Sequence, residues 1–142
     1  MEKTAVERFR ELCQKQNGYD TEAYNFVCES LDYTLKHIVR PIDDINQHVT
    51  AHELLDGCRL YAIEQFGCLA KTVLNNWKIK TTKDIGDIVF QLVEYDLLGK
   101  QEEDRIEEFN NFYDFNAVFD LKPVVSYYPY YPEEGEWKVK YV

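Results

Sequence analysis

The stretch spanning residues 51–77, AHELLDGCRLYAIEQFGCLAKTVLNNW, decides the fold. Leu55, Cys58, Ala62, Phe66, Leu69, Val73 and Trp77 recur there at steps of three and four, which is the period of one face of an α-helix. The spacing predicts a long central helix over 51–77, about 40 Å end to end if unbroken. Gly67 is where it would break or kink, because glycine costs about 1 kcal/mol against alanine in a helix interior. Thr50 followed by Glu53 reads as a capping box, with the threonine oxygen taking an orphan amide and the glutamate reaching back. The helix therefore starts at residue 51.

Shorter helices flank this one. Residues 4–16 place Ala5, Phe9, Leu12 and Cys13 on one face, and Asn17-Gly18 ends the helix. A second helix is capped by Asp20 or Thr21 and carries the stripe Ala23, Phe26, Val27, Leu31, Leu35, Ile38. Pro41 and the polar run to Gln47 read as a loop. After the turn KIKTT, Thr81 or Thr82 starts a fourth helix with Ile85, Ile88, Val89, Leu92 and Val93 inward, and Gly99 closes it. A fifth, acidic helix is expected over 102–119, with Ile106, Phe109, Phe112, Tyr113 and Phe115 pointing in. The expected fold is thus mainly α, with about five helices around the 51–77 helix. The last residues, LKPVVSYYPYYPEEGEWKVKYV, lose the helical period. PEEGE is turn chemistry between two β-prone runs, so 121–142 reads as an extended tail or β-hairpin appended to a helical domain over 1–120.

Composition excludes several function classes. The chain of 142 residues carries 16 Lys+Arg against 26 Asp+Glu, a net charge of -10. Nucleic acid and anionic membrane surfaces need basic patches, and no Lys/Arg run occurs. The N-terminal MEKTAVERFREL lacks the apolar stretch of a signal peptide, and no run of about 18 apolar residues predicts a membrane span. Cys13, Cys28, Cys58 and Cys68 form no C-x-x-C pair and each sits in an apolar helical pattern, which is the usage of buried free thiols in a cytoplasmic protein.

The sharpest chemical candidate is His48-Val49-Thr50-Ala51-His52-Glu53. Two histidines four apart hold zinc when both lie on one helix face. Here the Thr50 cap separates them, so His52 is in the first turn and His48 lies outside the helix. His48, Thr50, His52, Glu53 and Arg59 are accordingly read as a structural polar cluster, and no metal or cofactor is expected. Arg59, one turn after Leu55 at the edge of the buried face, needs a carboxylate or carbonyl partner, in an ion pair or an anion contact. The chain has two serines, Ser30 and Ser126, and no G-x-S-x-G; its six glycines are isolated, so no loop cradles phosphate. No catalytic residue is assigned.

Residues 68–99 follow a helix, short turn, helix order ending in Leu-Leu-Gly, the layout of a helix-turn-helix or winged-helix module. Its charges oppose DNA: residues 81–100 carry Lys83 and Lys100 against Asp84, Asp87, Glu94 and Asp96. In the tail, Tyr127, Tyr128, Tyr130, Tyr131, Trp137 and Tyr141 offer large contact area at low entropy cost. Lys122, Lys138 and Lys140 balance Glu133, Glu134 and Glu136 there, so the negative charge belongs to the helical part.

Through AYNFVCESLDYT, HVTAHELLDGCR, TTKDIGDIVFQLV and DFNAVF, the chain resembles a small family of conserved hypothetical proteins of planctomycete- and verrucomicrobia-type bacteria, over residues 20–119. That resemblance implies a bacterial cytosolic protein and no particular activity. The function expected is a non-enzymatic interaction or assembly protein, binding another protein or itself. The alternatives are a small enzyme with a site assembled from distant residues, and a transcriptional regulator built on the winged-helix-like module.

Overall fold

Three of the helices begin with the same device. Thr4, Thr50 and Thr81 each accept the amide three residues on, and Glu7, Glu53 and Asp84 reach back to the cap amide. Asp20 caps a further helix through the Glu22 amide. These caps set α1 (Ala5–Gln14), α2 (Thr21–His37), α3 (Ala51–Phe66) and, after α4 (Ala70–Asn76), α5 (Thr82–Glu94). A short α6 (Phe115–Val118) follows. The computed structural model describes residues 2–15, 18–38, 49–99 and 106–120, together with the backbone of 123–125 and 139–141. The fold is mainly helical. Two short strands, β1 (Pro123–Val125) and β2 (Val139–Tyr141), pair antiparallel with Val124 opposite Lys140.

The core is built where α2, α3 and α5 meet. Leu12, Val27, Leu55, Ala62, Leu74, Ile79, Ile85, Ile88 and Leu92 are all fully or almost fully buried. Burying an aliphatic side chain of this size contributes about 2 kcal/mol, so the three inward residues of α5, Ile85, Ile88 and Leu92, anchor that helix. Tyr24, also buried, donates its hydroxyl to Gln91 Oε1 at 2.6 Å and ties α2 to α5. Arg8 of α1 donates to the Asp96 carbonyl at 3.4 Å, just past the end of α5.

The face that α2 buries is rotated from the expected stripe. Ser30 and Thr34 are fully buried, whereas Leu31 and Leu35 are only half-buried. The cause is Gly57 on α3. A Cβ there would stand 1.8 Å from Thr34 Oγ1, so the two helices cross almost in contact and only small residues fit between them. Thr34 satisfies its hydroxyl locally by donating to the Ser30 carbonyl at 2.7 Å.

The expected single helix over 51–77 is broken. α3 stops at Phe66, Gly67 takes φ 54 and ψ -130, a single turn of 3-10 helix covers Gly67–Leu69, and α4 resumes at Ala70. The break resets the phase. Leu69, an inward residue of the unbroken pattern, is 59% exposed, while Ala70 and Leu74 face the core.

The turn after α4 is a Schellman motif, with Lys78 in the left-handed region (φ 69) and the Ile79 amide donating to the Leu74 carbonyl at 2.8 Å. The end of α5 repeats it: Asp96 takes φ 54 and the Leu97 amide reaches the Leu92 carbonyl at 2.8 Å. Asp96, rather than Gly99, is therefore the residue that stops this helix. The helix-turn-helix order over 68–99 is present as α4, turn, α5.

The expected helix over 102–119 is also corrected. Ile106–Phe109 is 3-10, Asn111 takes φ 50, and helix returns only for Phe115–Val118. Its backbone groups are spent elsewhere. Buried Thr82 donates to the Phe109 carbonyl at 2.5 Å and accepts from the Phe112 amide at 3.2 Å, and His52 Nε2 lies 3.1 Å from the Glu108 carbonyl. Gly86 gives the room: a Cβ there would fall 2.6 Å from the Phe109 side chain. Buried Phe109, Phe115 and Phe119 are the inward anchors of this segment.

Candidate functional site

The polar cluster expected around residue 50 divides. Thr50 and Glu53 form the capping box, at 3.1 Å for both of its hydrogen bonds. His52 stacks flat on Phe112, with ring centroids 4.2 Å apart and 9° between planes. Together with its contact to the Glu108 carbonyl, this makes it a fastening between the first turn of α3 and the segment before α6. His48 lies outside the described residues. Arg59 is half-buried, and its charge acts on Tyr113, whose hydroxyl donates to the Leu55 carbonyl at 2.7 Å. Among the described residues no ion pair includes Arg59. Of the tail aromatics, Tyr127, Tyr128, Tyr130, Tyr131 and Trp137 lie outside the described residues, as does the side chain of Tyr141.

A different set of residues makes the most developed surface feature. A row of rings runs from the end of α2 across α3 to α4. His37 meets Tyr33 at 4.4 Å between centroids, Tyr33 meets Tyr61 at 5.4 Å, and Tyr61 meets Phe26 at 5.8 Å. Phe26 continues to Trp77 at 5.9 Å, and Trp77 to Phe66 at 5.6 Å. Phe26 is buried and roots the row in the core; Tyr33, Tyr61, Phe66 and Trp77 are half-buried and His37 is exposed. Such tilted and edge-on ring pairs contribute about 0.5–1.5 kcal/mol each beyond burial, so the row is a rigid element of surface.

A groove lies at each end of the row. The one between α2 and α3 has a volume of about 410 Å³ and is lined by Cys28, Glu29, Asp32, Tyr33, Lys36, His37 and Tyr61. The other, of about 560 Å³, follows the break from Ile63 to Leu69 and takes in Phe66 and exposed Leu69. The first has a definite polarity. Tyr61 donates its hydroxyl to Glu29 Oε2 at 2.8 Å, and Lys36 pairs with Asp32 at 2.8 Å. Burial and the neighbouring Glu29 push the Tyr61 phenol up to about 12, so it stays a neutral donor. Burial and then Glu29 also raise the Cys28 thiol.

The remaining perturbed groups move in the same direction. Burial pushes the Cys58 thiol up to about 12, with the Ser30 hydroxyl opposing the rise, and burial likewise raises Tyr113. Tyr19, raised by burial and by its hydrogen bonds to Asp84 (2.8 Å) and Asp87 (3.2 Å), follows. A nucleophilic thiol needs the opposite shift.

Sequence reasoning missed the row. Its signal was Phe26, Tyr33 and His37 at steps of seven and four on α2, three rings on one helix face with Ser30 between them. The expected aliphatic stripe, one residue round the helix, masked it. No helix among the described residues is long and apolar enough to cross a membrane. No protein-family model, no curated protein and no solved structure matches the chain.

Proposed function

We propose that the chain is a non-enzymatic interaction or assembly protein of the bacterial cytoplasm, which contacts another protein or a second copy of itself through the aromatic row. The observation that carries this reading is the continuous ring-to-ring contact from His37 to Phe66, whose outer members remain solvent-accessible. Tyrosine and tryptophan held rigid at a surface lose little entropy on binding, and they are the residue types that dominate binding energy at interfaces. The four free thiols suit a reducing compartment. The upward shifts of Cys28 and Cys58 weigh against an enzyme using a thiolate. The acidic outer residues of α5, Asp84, Asp87 and Glu94, weigh against a DNA-reading helix. The tyrosines of the tail, on their composition, are a second contact element in this proposal.

The test compares wild type with Tyr33→Ala and with a chain truncated after residue 121. Light scattering reports self-association, and affinity capture from the native cell reports foreign partners. A partner or dimer lost in Tyr33→Ala, with the melting temperature unchanged, supports the row as the contact. Retention of every associate by both variants overturns it.

A further inference from the structure

We infer that the groove between α2 and α3 receives a cationic side chain presented by a basic peptide segment of a partner protein. The inference rests on the row being a protein-contact surface and names the chemistry of what it contacts. Three rings, Tyr33, His37 and Tyr61, line the groove, with interplanar angles of 35° and 49° between neighbours, so they form a curved wall rather than a flat stack. Ring faces carry negative electrostatic potential and attract ammonium and guanidinium groups. Glu29 and Asp32 line the same groove, and Glu64 lies close enough to act on Tyr61. Against these three carboxylates stands one lysine, Lys36.

Two details sharpen the choice of a cation. The Tyr61 hydroxyl donates to Glu29 at 2.8 Å, which pushes electron density into the ring and strengthens its hold on a positive charge. The groove also already holds an ammonium group: Lys36 rests on Asp32 at 2.8 Å. The two side chains of that pair are 67% and 63% exposed, so the bond is weak and an incoming cation can displace it. An anionic segment would meet the carboxylates and the overall charge of -10, while a basic one would be steered in. A peptide fits better than an isolated ammonium ion, because its neighbouring residues can reach the half-buried rings of Trp77 and Phe66, which buried Phe26 links to the groove.

The probe is a fluorescently labelled peptide of alternating lysine and glycine, with a glutamate–glycine peptide of equal length as control, titrated in fluorescence polarisation. The lysine peptide binds and the glutamate peptide does not. Tyr33→Leu, which leaves the charge unchanged, weakens binding roughly two- to fivefold, the loss of one exposed cation–ring contact. Lys36→Ala tightens it by removing the competitor. Glu107→Gln, exposed on the turn before α6, changes nothing. Glu29→Gln weakens binding and serves if Tyr33→Leu melts early.

Equal weakening by Glu29→Gln and Glu107→Gln, with Tyr33→Leu unaffected, means attraction to net charge alone and overturns the inference. Absence of binding overturns it too. If Tyr33→Leu loses natural partners while the lysine peptide fails to bind, the cation receptor is wrong and the contact surface stands. If the peptide binds through the groove but every natural association survives Tyr33→Leu, the contact-surface reading is the one that fails.

Discussion

At residue scale the molecule depends on a few places where a side chain is missing. Gly57 is one: the near-contact of α2 and α3 exists because nothing stands where a methyl group would meet Thr34 Oγ1 at 1.8 Å. Adding that methyl should force the helices apart and cost roughly 3 kcal/mol, in the upper range for an overpacked core. Gly57→Ala is therefore expected to lower the denaturant midpoint sharply. Combined with Thr34→Ala, which removes the colliding oxygen, it should recover a good part of the loss in a double-mutant cycle. Simple additivity of the two substitutions would show that the crossing is not set by this contact. Thr82 works the other way, since its hydroxyl serves two backbone groups of the segment before α6. Neither role is visible in a hydropathy pattern: a glycine inside a helical run reads as a small loss of propensity, and a threonine after a cap reads as solvent-facing. What the sequence did disclose at this scale were the caps. Thr50 with Glu53 needs only local spacing.

At element scale, α1, α2 and α5 were legible from periodicity and their start signals. Two elements were not. Residues 51–77 keep a continuous apolar period, yet the chain breaks at Gly67, where φ 54 and ψ -130 form a conformation open in practice to glycine alone. Gly67 marked where the helix could break, but the period alone runs on across it, because Ala70 and Leu74 supply a second inward face once the phase resets. Gly67→Ala should accordingly cost about 1–3 kcal/mol, the usual strain of a non-glycine residue held in such a region. A melting temperature within a degree of wild type would mean that α3 and α4 run on as one helix, as the bare pattern suggested. Over 102–119 the aromatic spacing suggested a helix, but long-range hydrogen bonds from Thr82 and His52 claim that backbone. Competition from partners 30 and 56 residues away is what single-sequence reading does not contain.

For the whole molecule, charge and rings divide the labour: an acidic helical body, and a row of aromatics rooted in its core and open at both ends. The composition led to the expectation of an interaction protein with its contact rings in the tail; the row proposed here as a contact lies on α2, α3 and α4, where only the packed helices bring Tyr33, Tyr61 and Trp77 together through Phe26. The buried groups make a pH prediction. Cys58 is pushed from 9.0 to about 12 by burial. Above pH 9 the unfolded chain loses this proton while the folded protein keeps it, so the unfolded state is favoured. Stability from this group is complete below pH 9 and is lost as pH rises towards 12, by about 1.4 kcal/mol per pH unit. Urea titrations should show that decline, and Cys58→Ala should make it shallower; an identical slope in the variant would contradict the assignment. The contact surface itself is tested most directly by photo-crosslinking in lysate of the native cell, with benzoylphenylalanine placed at Tyr33 and, as control, at Glu107. The account predicts a discrete covalent adduct from position 33, diminished when the lysine–glycine peptide is added to the lysate before irradiation, and none from position 107. Equal labelling from both positions, or an adduct only from 107, would contradict it.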